Sequence, residues 1–414
     1  MSGSSSRGSS GRGGVRGGAG GGRGPARGPG GRNVGGKGTS AKSQKRDIMD
    51  GLLPDPVHTM LKPQDTPGEL DAEISDVEYL GSYTWVKSDR PMIAVPGSPR
   101  IWSPPTLPTQ LPAWRARARS VFAAIDALDA SGDRTPPQWG AVDVVTDRNN
   151  LLKLLAWVDP ASGKKHRGAF RIDVELAEPW TILFRRWEER DAVNSDGSGF
   201  GDSFERASSR DALGHEQGTL AGHHQIIAYD LSGIKIVLRY EVDAYRISEQ
   251  PSIDTLTDQL SSLNVGSGTS GTEQKVSELV DIRHIGFAVP QSSLVKVKSR
   301  SQLSKGRFHL EDAYLQLYLG QIPALCLGIH DGNGVFTSTD EIRLDSERCS
   351  AAKEKVQPGL RKLRRLLEQI QSAVIQRGQG AKLSLICQGG KLLLMQREPG
   401  DSFLPPTILK RFTS

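Results

Sequence analysis

Cysteine is scarce in this chain: three residues, Cys326, Cys349 and Cys387, among 414. They are widely spaced and form no CxxC pair, which argues against a disulfide framework and a structural zinc site and fits a reducing compartment. Long apolar runs are missing as well. None reaches the roughly 20 residues of a membrane-spanning helix, and the Gly/Arg-rich opening lacks the hydrophobic stretch of a secretory signal. A soluble, intracellular protein with no membrane partner is expected. There is no Walker A loop, dinucleotide fingerprint, GxSxG elbow or HExxH pair, so those phosphate, nicotinamide, serine-hydrolase and zinc-protease chemistries have no foothold.

Acidic residues are absent from the first 46 positions, which hold ten Lys and Arg and 17 Gly. That segment carries +10 in a chain of net +6, leaving −4 for the remainder. The alkaline pI therefore belongs to the opening, while the rest is mildly acidic. A stretch such as GRGGVRGGAGGGRGPARGPGGR cannot bury enough apolar surface to offset its ordering entropy, and a disordered RG-rich tail over 1–46 is expected. Arginines spaced by glycine reach phosphates and stack on bases, so RNA is its natural partner. Residues 47–76, rich in proline and acid and without periodicity, read as a linker to one domain over 77–414. The Gly/Ser/Thr-rich stretch at about 253–277 reads as a disordered insertion in that domain.

What is present is a succession of short strand-like runs. YLGSYTWV, PMIAVPGSPRIW, AVDVVT, LLKLLAWV, FRIDVEL and WTILFRRW all read as strands between turn signals. AWRARARSVFAAIDAL, Ala113 to Leu128, reads as an amphipathic helix, and further helices are expected over Leu310–Leu319 and Val356–Arg377. HHQIIAYDLSGIKIVLRYEVDAY reads as a hairpin turning at Ser232 and Gly233, with Lys235, Arg239, Glu241 and Asp243 on one face of its second arm. Two further hairpins are expected, one turning at Asp331 to Gly334 and one at QGG near the C-terminus.

Phosphodiester hydrolysis at neutral pH is commonly assisted by divalent metal, and magnesium prefers several carboxylates held rigidly with a basic or amide group beside the attacking water. The candidates are Glu205 in GDSFE, Glu241 and Asp243 in EVD, Lys298 in KVK and Gln316 in YLQLYLGQIP. ExD taken alone is most simply an acidic sheet face with a lysine partner. His215, His223 and His224 read as turn or core histidines, because adjacent strand residues point to opposite faces. Trp180 and Trp187 read as packing residues, and the basic LRKLRR run as a solvated helix face.

The order of these elements resembles the DXO family of eukaryotic RNA decapping exonucleases, which includes the partner protein of the nuclear 5′-to-3′ exoribonuclease. GxxFE, ExD, xxK and a helical Gln follow one another as in that family. VVTDRNNLLKLL, with Arg148 and Lys153, is similar to its TxRGxxTK segment, and QLYLGQIPALCLGIHDGNG to its QSFLxGxPxIxxGFRDxxG segment. The resemblance runs from about Leu80 to the last hairpin. It implies an α+β fold in which two curved mixed β-sheets form a cleft flanked by helices, with a nuclease core of PD-(D/E)xK type. It further implies metal-assisted RNA 5′-end decapping and 5′-to-3′ exonuclease chemistry in RNA quality control. Glu205, Asp243, Glu241 and the Val297 carbonyl would hold Mg2+ or Mn2+. Lys298 and Gln316, with Glu241, would serve the attacking water, and Arg148 would hold the leading phosphates. RNA 5′ ends and an exoribonuclease partner follow from the same resemblance, and RNA surveillance together with the RG-rich tail favours the nucleus.

One position departs from the pattern. The family has Glu-x-Lys where this chain has Lys296, Val297, Lys298, and no acid lies between Gln291 and Leu310. At about 4 Å and an effective dielectric near 20, two unit charges interact by about 4 kcal/mol, and a divalent ion doubles that. Lys296 can lose its proton, swing to solvent, or pair with Asp243 and fill the metal's place. Either metal is held weakly by the remaining acids, or catalysis is lost and a folded RNA-binding pseudoenzyme remains.

Overall fold

Ser232 and Gly233 take positive φ, 47° and 97°, the conformation that a two-residue hairpin requires. They join two of the longer strands of the protein. The computed structural model describes residues 46–66, 68–112, 138–162, 168–177, 179–189, 199–213, 220–247, 273–274 and 280–413. Residues 43–414 form one unit. The expected tail apart from Arg46, the helix over Ala113–Leu128, His215 and nearly all of the 253–277 insertion lie outside the described residues.

In chain order the elements are β1 (Leu52–Met60), β2 (Ile74–Val86), β3 (Met92–Gly97), β4 (Arg100–Trp102), β5 (Thr109–Gln110), β6 (Val144–Asp147) and α1 (Arg148–Val158). There follow β7 (Phe170–Ala177), β8 (Thr181–Arg186), α2 (Gly201–Ala207), β9 (Ser209–Arg210), β10 (Leu220–Leu231), β11 (Ile234–Val242), β12 (Ala244–Tyr245), β13 (Glu273–Gln274) and β14 (Asp281–Gly286). The last are β15 (Leu294–Ser301), α3 (Leu310–Gly320), β16 (Ala324–His330), β17 (Val335–Arg343), α4 (Glu347–Ile375), β18 (Lys382–Gln388), β19 (Lys391–Arg397) and α5 (Pro406–Leu409). They build two curved mixed sheets. The larger runs β1-β19-β18-β7-β8-β6-β11-β10-β2-β3-β14-β13, and the smaller β5-β17-β16-β15-β12-β4-β9. This is the expected α+β class.

Three apolar clusters hold the layers. On one side of the large sheet, Leu151, Leu154 and Leu155 of α1, Leu315 and Leu319 of α3 and Leu363, Leu367 and Ile370 of α4 bury against Ile172, Phe184, Ile236 and Leu238. On the other side Tyr83, Trp85, Ile93, Val145, Leu183 and Val237 pack with Trp139 and Phe412. Phe204 of α2 packs with Val297, Cys326 and Phe336 of the small sheet.

Two expectations are corrected. LLKLLAWV is the body of α1. A short apolar run does not distinguish a buried strand from a buried helix by period alone, and this one is built from strong helix formers with Val158 its sole β-branched residue. Residues 47–76 are more than a linker, since β1 pairs antiparallel with β19 at the edge of the large sheet. Register shifts flank Pro56, between Leu52 and Pro56 and between Pro56 and His58. Prolines and bulges belong at a sheet edge and erase the period-two pattern that would have announced a strand. The long helix also begins earlier than its apolar spacing indicates, at Glu347, and carries Pro358 inside.

Candidate functional site

Alternation along β11 sends Arg239 and Glu241 to one face and the apolar Leu238, Tyr240 and Val242 to the other. At Val242 the chain leaves the large sheet, and at Ala244 it enters the small one. Asp243 is the single residue between them, so its carboxylate lies where the two sheets meet. There β12 pairs antiparallel with β15, Ala244 opposite Val295. The register brings Asp243 against the next two residues of β15. Asp243 Oδ1 accepts from Lys296 Nζ at 2.5 Å, and Oδ2 accepts from the Val297 amide at 2.7 Å. The Asp243 side chain is 2% exposed and that of Lys296 14%.

Glu205 reaches the same place from α2. This short helix is seated by Phe204, which fills the space left by the missing side chain of Gly328. A Cβ there would lie 2.5 Å from the ring. Phe204 also stacks on Phe336 at 4.6 Å. Burial first, then the charge of Asp243, pushes the Glu205 carboxyl well above the usual range, while Lys296 pulls it down. Glu241 keeps solvent contact on one side. The protein crowded around its carboxyl raises its pKa, Lys296 opposes the shift and Asp243 adds to it. Gly222 across β10 makes room for it, since a Cβ there would lie 2.5 Å from Glu241 Oε1. All three expected acids thus share one electrostatic neighbourhood with Lys296.

Lys298, two residues beyond Lys296 on the same face of β15, lines a cavity of about 180 Å3 with Arg300, Phe308, His309 and Asp312. Gln316 is half-buried on α3, one turn beyond Asp312 on the same helix face. Arg148 lies beneath, 8% exposed. It donates to the Gln316 carbonyl at 3.0 Å and the Glu241 carbonyl at 3.5 Å, with its guanidinium 5.1 Å from the Tyr240 ring centre. In this arrangement it ties α3 to β11. Lys153 pairs with Glu188 at 3.3 Å. His223 is buried and bonded to Thr84 Oγ1 at 2.8 Å, His224 stacks on Tyr83, and Trp187 packs beneath Arg46 and Arg171. Arg300, His309 and Asp312 were not among the sequence candidates. The i, i+4 spacing of Asp312 and Gln316 is the one signal that marks any of them.

Among the described residues, no group of three or more His, Cys, Asp or Glu side chains is arranged to hold a metal ion. The donor chemistry agrees. Both oxygens of Asp243 already accept hydrogen bonds, one from an ammonium, and Val297 meets Asp243 through its amide. As it stands, the donor set does not fit a hard divalent cation.

The family model described as Domain of unknown function (DUF8563) matches residues 56–388. The chain belongs to this family. No curated protein sequence matches it. Among solved structures, this DUF8563 chain is similar to Rai1 of S. pombe at 16% identity and a TM-score of 0.55, over 80% of this chain and 96% of that one. It is similar to Candida albicans Rai1 in complex with pU5-Mn2+ at 11% identity and a TM-score of 0.56, over 86% and 98%. Rai1 of Scheffersomyces stipitis in complex with (3'-NADP)+ and calcium ion gives 10% and 0.56, over 86% and 99%. At these identities the likeness is one of fold: the DUF8563 chain has the Rai1 architecture.

Proposed function

We propose that this chain binds RNA 5′ ends in the cleft between its two sheets, as a decapping-nuclease-type protein in RNA quality control that grips its ligand without metal-assisted hydrolysis. One observation carries the reading: Glu205, Glu241 and Asp243 meet at the sheet junction of a Rai1 fold, with the ammonium of Lys296 already bonded to Asp243. The ligands in the Candida and Scheffersomyces complexes, pU5 with Mn2+ and (3'-NADP)+ with calcium, support a phosphorylated nucleic-acid end as the class of ligand. Lys298 and Arg300, at alternate positions on β15, offer phosphates a positive wall. Gln316 and Arg148 complete the cleft.

Hydrolysis with Mg2+ or Mn2+ is the second reading, and one feature favours it. Three carboxylates, Glu205, Glu241 and Asp243, lie around the one ammonium of Lys296, so with all three ionised the cluster carries more negative than positive charge. A free cation is drawn to such a surplus. Binding and cleavage of 5′-triphosphorylated RNA, followed with chelator and then with rising Mn2+, separate the two. The first reading expects binding in chelator and intact RNA throughout. Cleavage that rises with Mn2+ and disappears in Asp243→Ala installs the second, and no binding under any condition overturns both.

The basic segment 1–46 extends the contact with RNA in this proposal, the fold from β1 onward forms the decapping-type domain, and the nucleus is the compartment. An exoribonuclease as protein partner is the remaining element, to be tested by co-purification.

A further inference from the structure

We propose that Lys296 is a tethered cation that takes the place of a divalent ion in this cleft, so that the acidic cluster is neutralised from within and ligand binding is independent of free metal. The inference rests on the reading of the cleft as that of a decapping-type protein and names how its charge is regulated.

Three observations converge. The antiparallel register of β12 with β15 puts Lys296 beside Asp243, and the two close to 2.5 Å. Asp243 is almost wholly buried, and a carboxylate so placed is stable only with a cation or several donors against it. Lys296 supplies the cation and Val297 a donor. Finally, the other two acids come to the same stretch of β15: α2, which carries Glu205, packs on that strand through Phe204 against Val297, and Glu241 stands two residues before Asp243 on the same hairpin arm. Its ammonium is therefore the cation set among three acids, one on α2, one on β11 and one at the junction between the sheets, which is the electrostatic office of a bridging metal. With no acid from Gln291 to Leu310, no neighbouring register of this strand restores a carboxylate.

Removing the ammonium leaves three carboxylates converging without their shared cation, and a divalent ion is the species best able to replace it. The test needs no RNA and no catalysis. Native protein, Lys296→Ala, Lys296→Arg and the double variant Lys296→Ala/Asp243→Asn are titrated with Mn2+, followed by calorimetry and by thermal melting. Native protein and Lys296→Arg are expected to show no saturable Mn2+ site in the cleft and no change in Tm. Lys296→Ala is expected to melt lower than native, to gain a saturable site, and to recover its Tm as Mn2+ rises, because a ligand that binds only the folded state stabilises it. The double variant is expected to lose that recovery. Native protein that binds Mn2+ as tightly as Lys296→Ala overturns the inference, as does a Lys296→Ala variant whose Tm ignores Mn2+. Failure to bind RNA, measured separately, overturns the functional reading and leaves the metal result standing.

Discussion

Arg239 and Asp243 stand four residues apart on one edge of the same hairpin arm, and each is locked to an opposite charge. Arg239 forms a fork with Asp147, Nε to Oδ1 at 2.5 Å and Nη2 to Oδ2 at 2.9 Å, and adds a bond to the Tyr83 hydroxyl at 3.2 Å. Burial disfavours its charge, yet Asp147 outweighs burial and holds the guanidinium above its ordinary pKa. Here one acid meets one base with matched geometry. At Asp243 the pairing is just as close, but two more acids stand near the same ammonium, and burial first of all raises the pKa of both Glu205 and Glu241. A matched pair is architecture, whereas an acid cluster held together by one lysine keeps charge in reserve for a ligand.

The sharpest way to break this distinction is to remove the matched base. Arg239→Met strands Asp147, which is 6% exposed, and is expected to cost about 3–5 kcal/mol in denaturant unfolding. Arg239→Met/Asp147→Leu is expected to recover most of that loss, because an apolar pair of similar volume replaces a buried ion pair at little cost. Equal losses in the single and double variants would refute the view that the fork serves only the fold.

The contrast between the two pairs was half legible in the sequence. Alternation along Ile234 to Asp243 places Arg239, Glu241 and Asp243 on one face, and the Ser232-Gly233 turn fixes the hairpin. The partner of Arg239 was not legible, because Asp147 arrives on β6 through a parallel pairing of distant segments, which leaves no local signal. Nor does EVDAY announce that the chain changes sheets at Asp243, since both halves have the same period. The meeting of Glu205 with EVD came from motif order, and the Lys296 contact from the charge reversal in KVK. Sequence alone left three fates open for that lysine, and the β12 to β15 register selects the pairing with Asp243.

Histidine tests why lysine is the counter-ion. His224 lies on β10 opposite Glu241, on the face of the acids, while His223 beside it pairs with Val242 and faces the other way, toward Thr84. Burial keeps both rings from serving as cations, holding His223 down to about 3 and His224 well below its ordinary range. A folded pKa below the unfolded one, near 6.5, means that the unfolded chain takes up the proton first. Stability contributed by the neutral ring is thus present above about pH 6.5 and lost as pH falls toward about 3, at up to about 1.4 kcal/mol per pH unit. His223→Gln, measured by chemical denaturation between pH 4 and 7, is expected to flatten that slope. An unchanged slope would show that burial does not hold the His223 ring neutral.

Glu205 carries the opposite sign. Its folded pKa is raised, by burial first and by Asp243 next, so the stability tied to its protonated form is present below the unfolded pKa, about 4.3, and lost as pH rises through the folded value. Glu205→Gln is expected to melt higher than native protein at neutral pH, by up to a few degrees, with the difference shrinking in acid. A variant that instead melts lower at every pH would mean that the carboxylate is balanced after all, and that the cleft is as matched as the Arg239 fork.

The smallest effect belongs to the surface, where a third arrangement of charge completes the series. Asp65, Glu69 and Asp71 lie along α4, and Arg361 forks to Asp65 at 2.8 Å through Nε and Nη2 and reaches Asp71 at 3.2 Å. Arg365 holds Thr66 at 2.8 Å and pairs with Glu69. The LRKLRR run, expected to face solvent, is thus partly covered by an acidic strap, a correction that follows from charge complementarity between segments some 300 positions apart. The Arg361 hydrogen bond leads in lowering the Asp65 pKa, so its stabilisation is present above about pH 3.9 and lost as pH falls further. Asp65→Asn is expected to cost under about 1 kcal/mol. That cost should fade in about 1 M salt, where the screening length drops to about 3 Å, while the Arg239→Met penalty should persist because its partner is shielded from solvent. If both penalties respond to salt alike, burial is not what separates the fork from the strap, and the charge surplus in the cleft loses its standing as the mark of a ligand site.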